Sequence, residues 1–343
     1  MNQSKDTYSL AVKYKLLVYL TLKNDKRSIN MVKHFAKSIN VLYVTADSID
    51  VDKLYHPNIE IYDFKTILSG LSRININLSI IKLIQKIESI CKSEYFSHEQ
   101  LVFISNNIKF VQLLTHFSKA AIHFDFKLDA NPSIIDKMMD KRLYLITNSI
   151  TTSTIKQRLL FDNYFKGTFR ICDGIENNLK IYPEDNKVNE KPLIGCFVSK
   201  PEFLNYDLIY KIARIYPSYE FKYISNVEFE PCENIDNLSF ITSNDSYLNY
   251  DLVFLPFKKD YYEYTNVVFY ENLCYSAPVC AFKSPDMDVH KKLVTTYLTE
   301  NDLIKSFEHL PEKVSDFFIE RSVLLKNSSW GSRARQLENV ILS

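Results

Sequence analysis

Two carboxylates eight positions apart, Glu263 and Glu271, lie where strand, loop and helix signals follow one another without a gap. Asp251-Leu-Val-Phe-Leu-Pro-Phe reads as a buried strand, Lys258 and Lys259 open a loop, and Thr265 and Asn266 stand at a helix start. Glu271 falls inside that helix, and Pro278-Val-Cys-Ala-Phe282 supplies the next buried strand. Open α/β sheets hold nucleotides outside the carboxyl ends of such strands. The free N–H groups and positive dipole end at Thr265 and Asn266 suit a phosphate, whether or not these side chains also cap the helix. Lys200, after an earlier strand, and Lys258 or Lys259 are the nearest cations that could meet such a phosphate, with Arg170 further off. A second set, His123-Phe-Asp125 with Asp129, ends another strand, where a carboxylate or the imidazole could take a proton from a hydroxyl.

These groups need two scaffolds. From Leu16 the chain alternates apolar strand runs with helical spacings: Leu16–Thr21, Val41–Thr45, Ile59–Tyr62, Leu101–Ser105, Ala121–Asp125 and Leu143–Thr147 read as strands, with a helix over roughly 76 to 93. That alternation predicts a parallel sheet covered on both faces. Residues 176–192 are polar and aperiodic and read as a linker. The pattern then restarts at Leu193–Ser199, with a helix from Tyr206, strands at Glu220–Ser225, Leu238–Ile241, Leu252–Leu255 and Pro278–Phe282, and a helical tail broken near Asn327–Gly331. The reading is α/β with two Rossmann-like domains: 1–175, then 193–325, with 326–343 a helix packing back on the first.

Composition narrows the function. At 343 residues the chain exceeds one hydrophobic core, and 46% hydrophobic content fills two. Lys plus Arg number 42 against 41 Asp plus Glu, which argues against sequence-independent binding of nucleic acid. Six scattered cysteines form no metal-ligand spacing and read as buried, reduced thiols. No start signal or apolar span of membrane length is present in the sequence, so a cytoplasmic protein is expected, with the inner face of the membrane open to it. Asp286-Met-Asp288 reads as surface rather than a metal pair. Only five glycines are present, so each is a candidate for a position no side chain can occupy.

The stretch from Asp251 to Val279 resembles the donor site of bacterial polysaccharide glycosyltransferases of the GT-B fold, family 4-like and close to the glucuronosyltransferase-like group. Their pattern runs Asp, aliphatics, Pro, then Glu, aliphatic, Ala, then Gly-x-Pro-Val. Ser199 to Asp207 and Pro217 to Phe221 are similar to the first strand and helix of the donor domain, Asn148-Ser and Cys172-Asp-Gly-Ile175 to the interdomain hinge, and Ser329-Trp-Gly-Ser-Arg-Ala334 to the returning helix. Val268 stands where relatives often carry a base, and Ser276 where they carry glycine. The resemblance implies metal-independent transfer from a nucleotide sugar, a UDP-sugar, to a glycan or lipid-linked acceptor in surface polysaccharide synthesis, with no further cofactor and with peripheral membrane contact compatible. Glu271 would bind the ribose, with Glu263 beside it; Asp125, Asp129 or His123 would act on the acceptor; and the loop Lys23–Ser28 would line its cleft. The rival readings are a non-catalytic member of the fold serving as a binding or scaffold subunit, and an epimerase of nucleotide sugars.

Overall fold

The computed structural model describes residues 10–47, 54–64, 72–126, 132–175, 189–243, 249–258, 265–275, 277–308 and 318–343. The chain divides into two compact units, residues 1–173 with 330–343, and residues 174–329. The expected linker at 176–192 lies outside the described residues as far as 188.

The first unit is a seven-stranded parallel sheet in the order β3-β2-β1-β4-β5-β6-β7. Its strands are β1 (Leu16–Leu20), β2 (Asn40–Thr45), β3 (Ile59–Asp63), β4 (Leu101–Ser105), β5 (Ala121–Phe126), β6 (Ser149–Thr152) and β7 (Thr168–Arg170). The helices are α1 (Leu10–Lys13), α2 (Lys26–Phe35), α3 (Ser72–Ser93), α4 (Val111–His116), α5 (Pro132–Asp140) and α6 (Ile155–Asp162). In β1 and β4 every residue is buried, as strands covered on both faces require. One face of the sheet carries α3 to α6 over a core that includes Leu83, Leu113, Met138 and Phe161. The other carries α1, α2 and the last helix.

The second unit repeats the plan with six parallel strands in the order β10-β9-β8-β11-β12-β13. They are β8 (Leu193–Phe197), β9 (Glu220–Ser225), β10 (Leu238–Thr242), β11 (Leu252–Leu255), β12 (Val279–Phe282) and β13 (Val294–Tyr297), joined by helices α7 (Tyr206–Ile215), α8 (Thr265–Asn272), α9 (Pro285–Asp288), α10 (Glu300–Glu308) and α11 (Phe318–Ser328). In both sheets the winding reverses beside the first strand, at β1/β4 and at β8/β11, the switch points where such folds bind ligands. Gly195 in β8 cannot be replaced cheaply: a Cβ there would lie 1.7 Å from the Lys222 carbonyl oxygen of β9. Gly331 has open space around it and carries no such demand.

The chain returns to the first unit through α12 (Trp330–Leu342). Its Trp330, Ala334, Leu337 and Ile341, on one helical face, pack with Met31, Val32 and Phe35 of α2. Among the described residues no helix is long and apolar enough to cross a membrane.

Three expectations fail. Leu143–Thr147 is not a strand: Leu143–Leu145 is a 3-10 turn entered from Arg142 at φ 54°, with Leu143 alone driven into the core. The strand is the polar Ser149–Thr152 that follows. Asp286 is buried rather than on the surface, in a short helix capped by Ser284, and Cys232 is exposed while the other five thiols are buried.

Candidate functional site

At the carboxyl edge of the first sheet, strand alternation decides which side chains meet. In β5 Ile122, Phe124 and Phe126 enter the core under α3 to α6, so His123 and Asp125 face the opposite layer. Ile150 of β6 does the same, which turns Ser149 and Thr151 alongside them. A polar stripe inside a helix-covered sheet needs an internal partner. Arg27, in the first turn of α2, supplies it.

The Arg27 guanidinium binds Asp125 through two parallel hydrogen bonds, Nε to Oδ2 at 2.8 Å and Nη2 to Oδ1 at 2.7 Å. Its Nη1 donates to Asp173 Oδ1 at 2.8 Å and to the Ile171 carbonyl at 3.1 Å. The Thr151 hydroxyl gives its one proton to Asp125 Oδ1 at 2.6 Å, so it accepts from His123 Nε2 at 3.0 Å, and His123 Nδ1 must accept from the Ser149 hydroxyl at 2.7 Å. That chain fixes Nε2 as a protonated nitrogen, and the low pKa of the buried ring makes the neutral Nε2–H form the one present near pH 7. Burial, with Arg27 adding to it against the pull of Asp125, pushes the His123 pKa down to about 4. Burial acts to raise the Asp125 carboxyl, but the Arg27 charge and the hydrogen bonds outweigh it and hold the group below its usual range. Burial likewise acts against the Arg27 charge, and Asp125 followed by Asp173 reverses that, so the pair stays ionised.

The expected proton-transfer residues Asp125 and His123 thus sit in a closed network of side-chain contacts. Asp125 is fully buried with both oxygens engaged, and both ring nitrogens of His123 are engaged too. The pair instead locks α2 to β5 and, through Asp173, to the end of this unit. Arg27, within the Lys23–Ser28 stretch expected to line the acceptor cleft, is helical and only 3% exposed. Asp129 lies outside the described residues. Arg170 closes β7 and is partly buried.

The switch point of the second sheet is built differently. The loops leaving β8 and β11 zip together: Leu204 and Phe257 form an antiparallel bridge, Asn205 N–H donates to the Pro256 carbonyl at 2.7 Å, and Lys258 N–H donates to the Phe203 carbonyl at 3.0 Å. Lys200 and Lys258 ride on these two loops, both exposed. The Lys258 ammonium donates to the Glu202 carbonyl at 2.9 Å, and Lys200 lies 5.3 Å over the Phe203 ring. Below them Asp251 Oδ2 joins the starts of β8 and β11 by accepting from the Leu193 N–H at 2.8 Å and from Asn189 at 2.7 Å.

Helix α8 is fastened to this edge by Asn272, a residue that sequence reading passed over. Its side chain accepts from the Phe197 N–H at 2.8 Å and donates to the Phe197 carbonyl at 2.7 Å, pairing with the last residue of β8 as a further strand would. Its amide also reaches the Val268 carbonyl at 2.8 Å. The neighbouring Glu271 is half-buried with Oε2 turned inward, and after burial its charge is what raises the Cys196 thiol of β8. Val268 packs into the core of the unit at 2% exposure. Thr265 and Asn266 are the first two residues of α8, on the side where β11 ends; their side chains, with Glu263, Lys259 and Ser276, lie outside the described set. The structure thus gathers Lys200, Lys258 and Glu271 on the elements around β8/β11 and places His123 and Asp125 in the other unit.

Solved structures with the same two-sheet plan cover nearly the whole chain. The lipopolysaccharide outer core galactosyltransferase WaaB aligns over 96% of this chain and 99% of its own with TM-score 0.60 and 10% identity. TarM of S. aureus, bound to UDP and α-GlcNAc-glycerol, aligns over 96% and 100% with TM-score 0.56 and 11% identity. HepE of Anabaena, bound to UDP and glucose, aligns over 95% of each chain with TM-score 0.54 and 12% identity. The chain has the GT-B fold. No family model matches it, and no curated protein does. At these identities a GT-B likeness is a statement about architecture, and the chemistry has to come from the residues.

Proposed function

We propose that this GT-B chain transfers a glycosyl group from a nucleoside-diphosphate sugar, a UDP-sugar, to a hydroxyl of a glycan or lipid-linked acceptor in polysaccharide assembly, and does so without a metal. The observation that carries the reading is the β8/β11 switch point, where one half-buried carboxylate and two exposed lysines stand on elements fixed by backbone pairing. Glu271, half-buried with Oε2 turned inward, can accept from a ribose hydroxyl through its other carboxylate oxygen. Lys200 and Lys258 can neutralise the leaving diphosphate, and the start of α8 adds backbone N–H groups with the positive end of its dipole. UDP, bound in HepE and TarM, is the matching ligand.

Thermal unfolding with UDP tests this. Nucleotide at one hundred times its dissociation constant adds about 2.7 kcal/mol of stability. Glu271→Gln, which keeps the shape and removes the charge, weakens UDP about tenfold, or about 1.4 kcal/mol. Absence of any shift with UDP or its sugars ends the proposal.

A second reading, a binding or scaffold subunit without turnover, is favoured by one pair of observations. Val268 is core where relatives often hold a cation, and Asp125 is spent on Arg27. A UDP-induced shift without glycosyl transfer or UDP-sugar hydrolysis would select it.

A further inference from the structure

Exposed large apolar side chains are unevenly spread over the first unit. Met139, Tyr144, Leu145, Leu159 and Tyr164 all fall within one stretch, with Leu145 66% exposed and Leu159 and Tyr164 each 56%. The elements that carry them are neighbours in space. α5, the 3-10 turn after it and α6 cover the same sheet face, and their inward residues Ile135, Met138, Leu143, Phe161 and Phe165 share one core. The outer surface of this layer therefore carries the exposed set, whereas Phe169 of the edge strand β7, registered beside Thr151, belongs to the other sheet face.

Charge follows the same distribution. Residues 133–170 hold seven Lys and Arg, three Asp and no Glu, although the whole chain is balanced at +1. Lys137, Lys141, Arg142, Arg158 and Lys166 are exposed among the apolar residues, with Arg158 paired to Asp162. The backbone contributes as well: Arg142 takes the left-handed conformation at the end of α5, and the turn that follows sends Leu143 inward while Tyr144 and Leu145 stay out. Left-handed backbone is costly for a side chain of this size. Basic residues interleaved with protruding Leu and Tyr on one face are what an anionic bilayer interface takes up, the rings and Leu entering the headgroup region while Lys and Arg meet lipid phosphates.

We propose that the outer face of α5, its following turn and α6 docks this unit on the surface of an anionic phospholipid membrane. A lipid-linked acceptor would benefit from that placement under the function proposed above, but the docking stands on its own surface and is read without any sugar transfer.

Co-sedimentation of the full chain tests it, with vesicles of phosphatidylcholine alone and of phosphatidylcholine containing about one third phosphatidylglycerol, in about 0.1 M salt. The expected result is capture by the anionic vesicles, little by the neutral ones, and release at high salt. Tyr144→Ser with Leu145→Ser, and separately Lys141→Glu with Arg142→Glu, should each lower partitioning at least about tenfold. These residues are exposed, so the variants should fold, and far-ultraviolet circular dichroism checks that they do. Tyr55→Ser removes a ring that is more exposed, at 85%, but lies elsewhere on the unit, and should bind as the parent does. No capture, equal capture by neutral vesicles, or full capture of the Tyr144/Leu145 variant would overturn the proposal. So would loss of capture in Tyr55→Ser. UDP binding measured in parallel keeps its failure separate from failure of the transferase reading.

Discussion

The two sheets share one winding order and use their carboxyl edges in opposite ways. At the edge of the first, Arg27, Asp125, Thr151, His123 and Ser149 satisfy one another in a buried chain. At the edge of the second, the backbone and Asn272 do the fastening, which leaves Lys200 and Lys258 exposed and Glu271 half open. Titratable groups near a switch point are therefore no guide to chemistry by themselves: one set is consumed by structure and the other is presented by it. Buried ion pairs in particular perturb pKa values without any catalytic role.

The sharpest way to break this contrast is to remove one member of the closed network. Arg27→Met leaves the Asp125 carboxylate buried without its cation, and such orphaned charges cost about 3–5 kcal/mol. Denaturant unfolding should show that loss while UDP affinity per folded molecule stays unchanged. Adding Asp125→Leu to Arg27→Met should recover much of the stability, since an apolar pair of similar volume is often neutral relative to the ion pair. A loss of UDP affinity in Arg27→Met at full stability would mean that the first edge is also part of the donor site.

Next in size is a pH effect confined to the first unit. His123 is neutral in the fold with its pKa near 4, against 6.5 for a free imidazole. Between those values the unfolded chain binds a proton that the folded one refuses, so stability falls as pH drops from about 6.5 towards 4. It is fully present above that window. One proton over that span corresponds to on the order of 3 kcal/mol. Asp125, held below its ordinary pKa, adds its own loss only at still lower pH. Unfolding free energy followed from pH 7 to 4.5 should slope in the parent and flatten in His123→Gln. An unchanged slope in the variant would assign the acid sensitivity to other groups.

Much of the architecture was legible because buried parallel strands are apolar on both faces. β1, β4 and β11 stand out as uninterrupted runs, and Leu101–Ser105 and Glu220–Ser225 are bounded in the fold as they read in the sequence. β6 was not legible. Three of its four residues are polar, and it is a strand because it receives the His123 and Asp125 stripe, which is a tertiary reason. The apolar run just before it drew the strand assignment instead. A signal for Arg27 did exist: apolar residues at 122, 124 and 126 place His123 and Asp125 on a second buried face, and a carboxylate there demands a cation from a facing helix. Asn272 offered no such clue, since an Asn late in a helix normally reads as a polar surface or a helix end.

Asn272 is also where the contrast can be sharpened at the smallest cost to stability. Replacing it with Ala removes two hydrogen bonds to Phe197 and leaves that partly buried N–H and carbonyl at the end of β8 without their Asn272 partner, a loss of about 2 kcal/mol. The same change frees the end of α8 from the sheet and lets Glu271 shift relative to β8. UDP affinity should then fall about tenfold beyond what the stability loss explains, a further 1.4 kcal/mol or so. Arg27→Met carries the larger stability loss and no loss of affinity per folded molecule, so the two variants should order oppositely in unfolding and in nucleotide titration. That crossing is the measurement that tells a locked edge from a presenting one. Equal ranking in both assays would mean that donor binding follows global stability and that the two edges do not differ in the way their hydrogen bonds indicate.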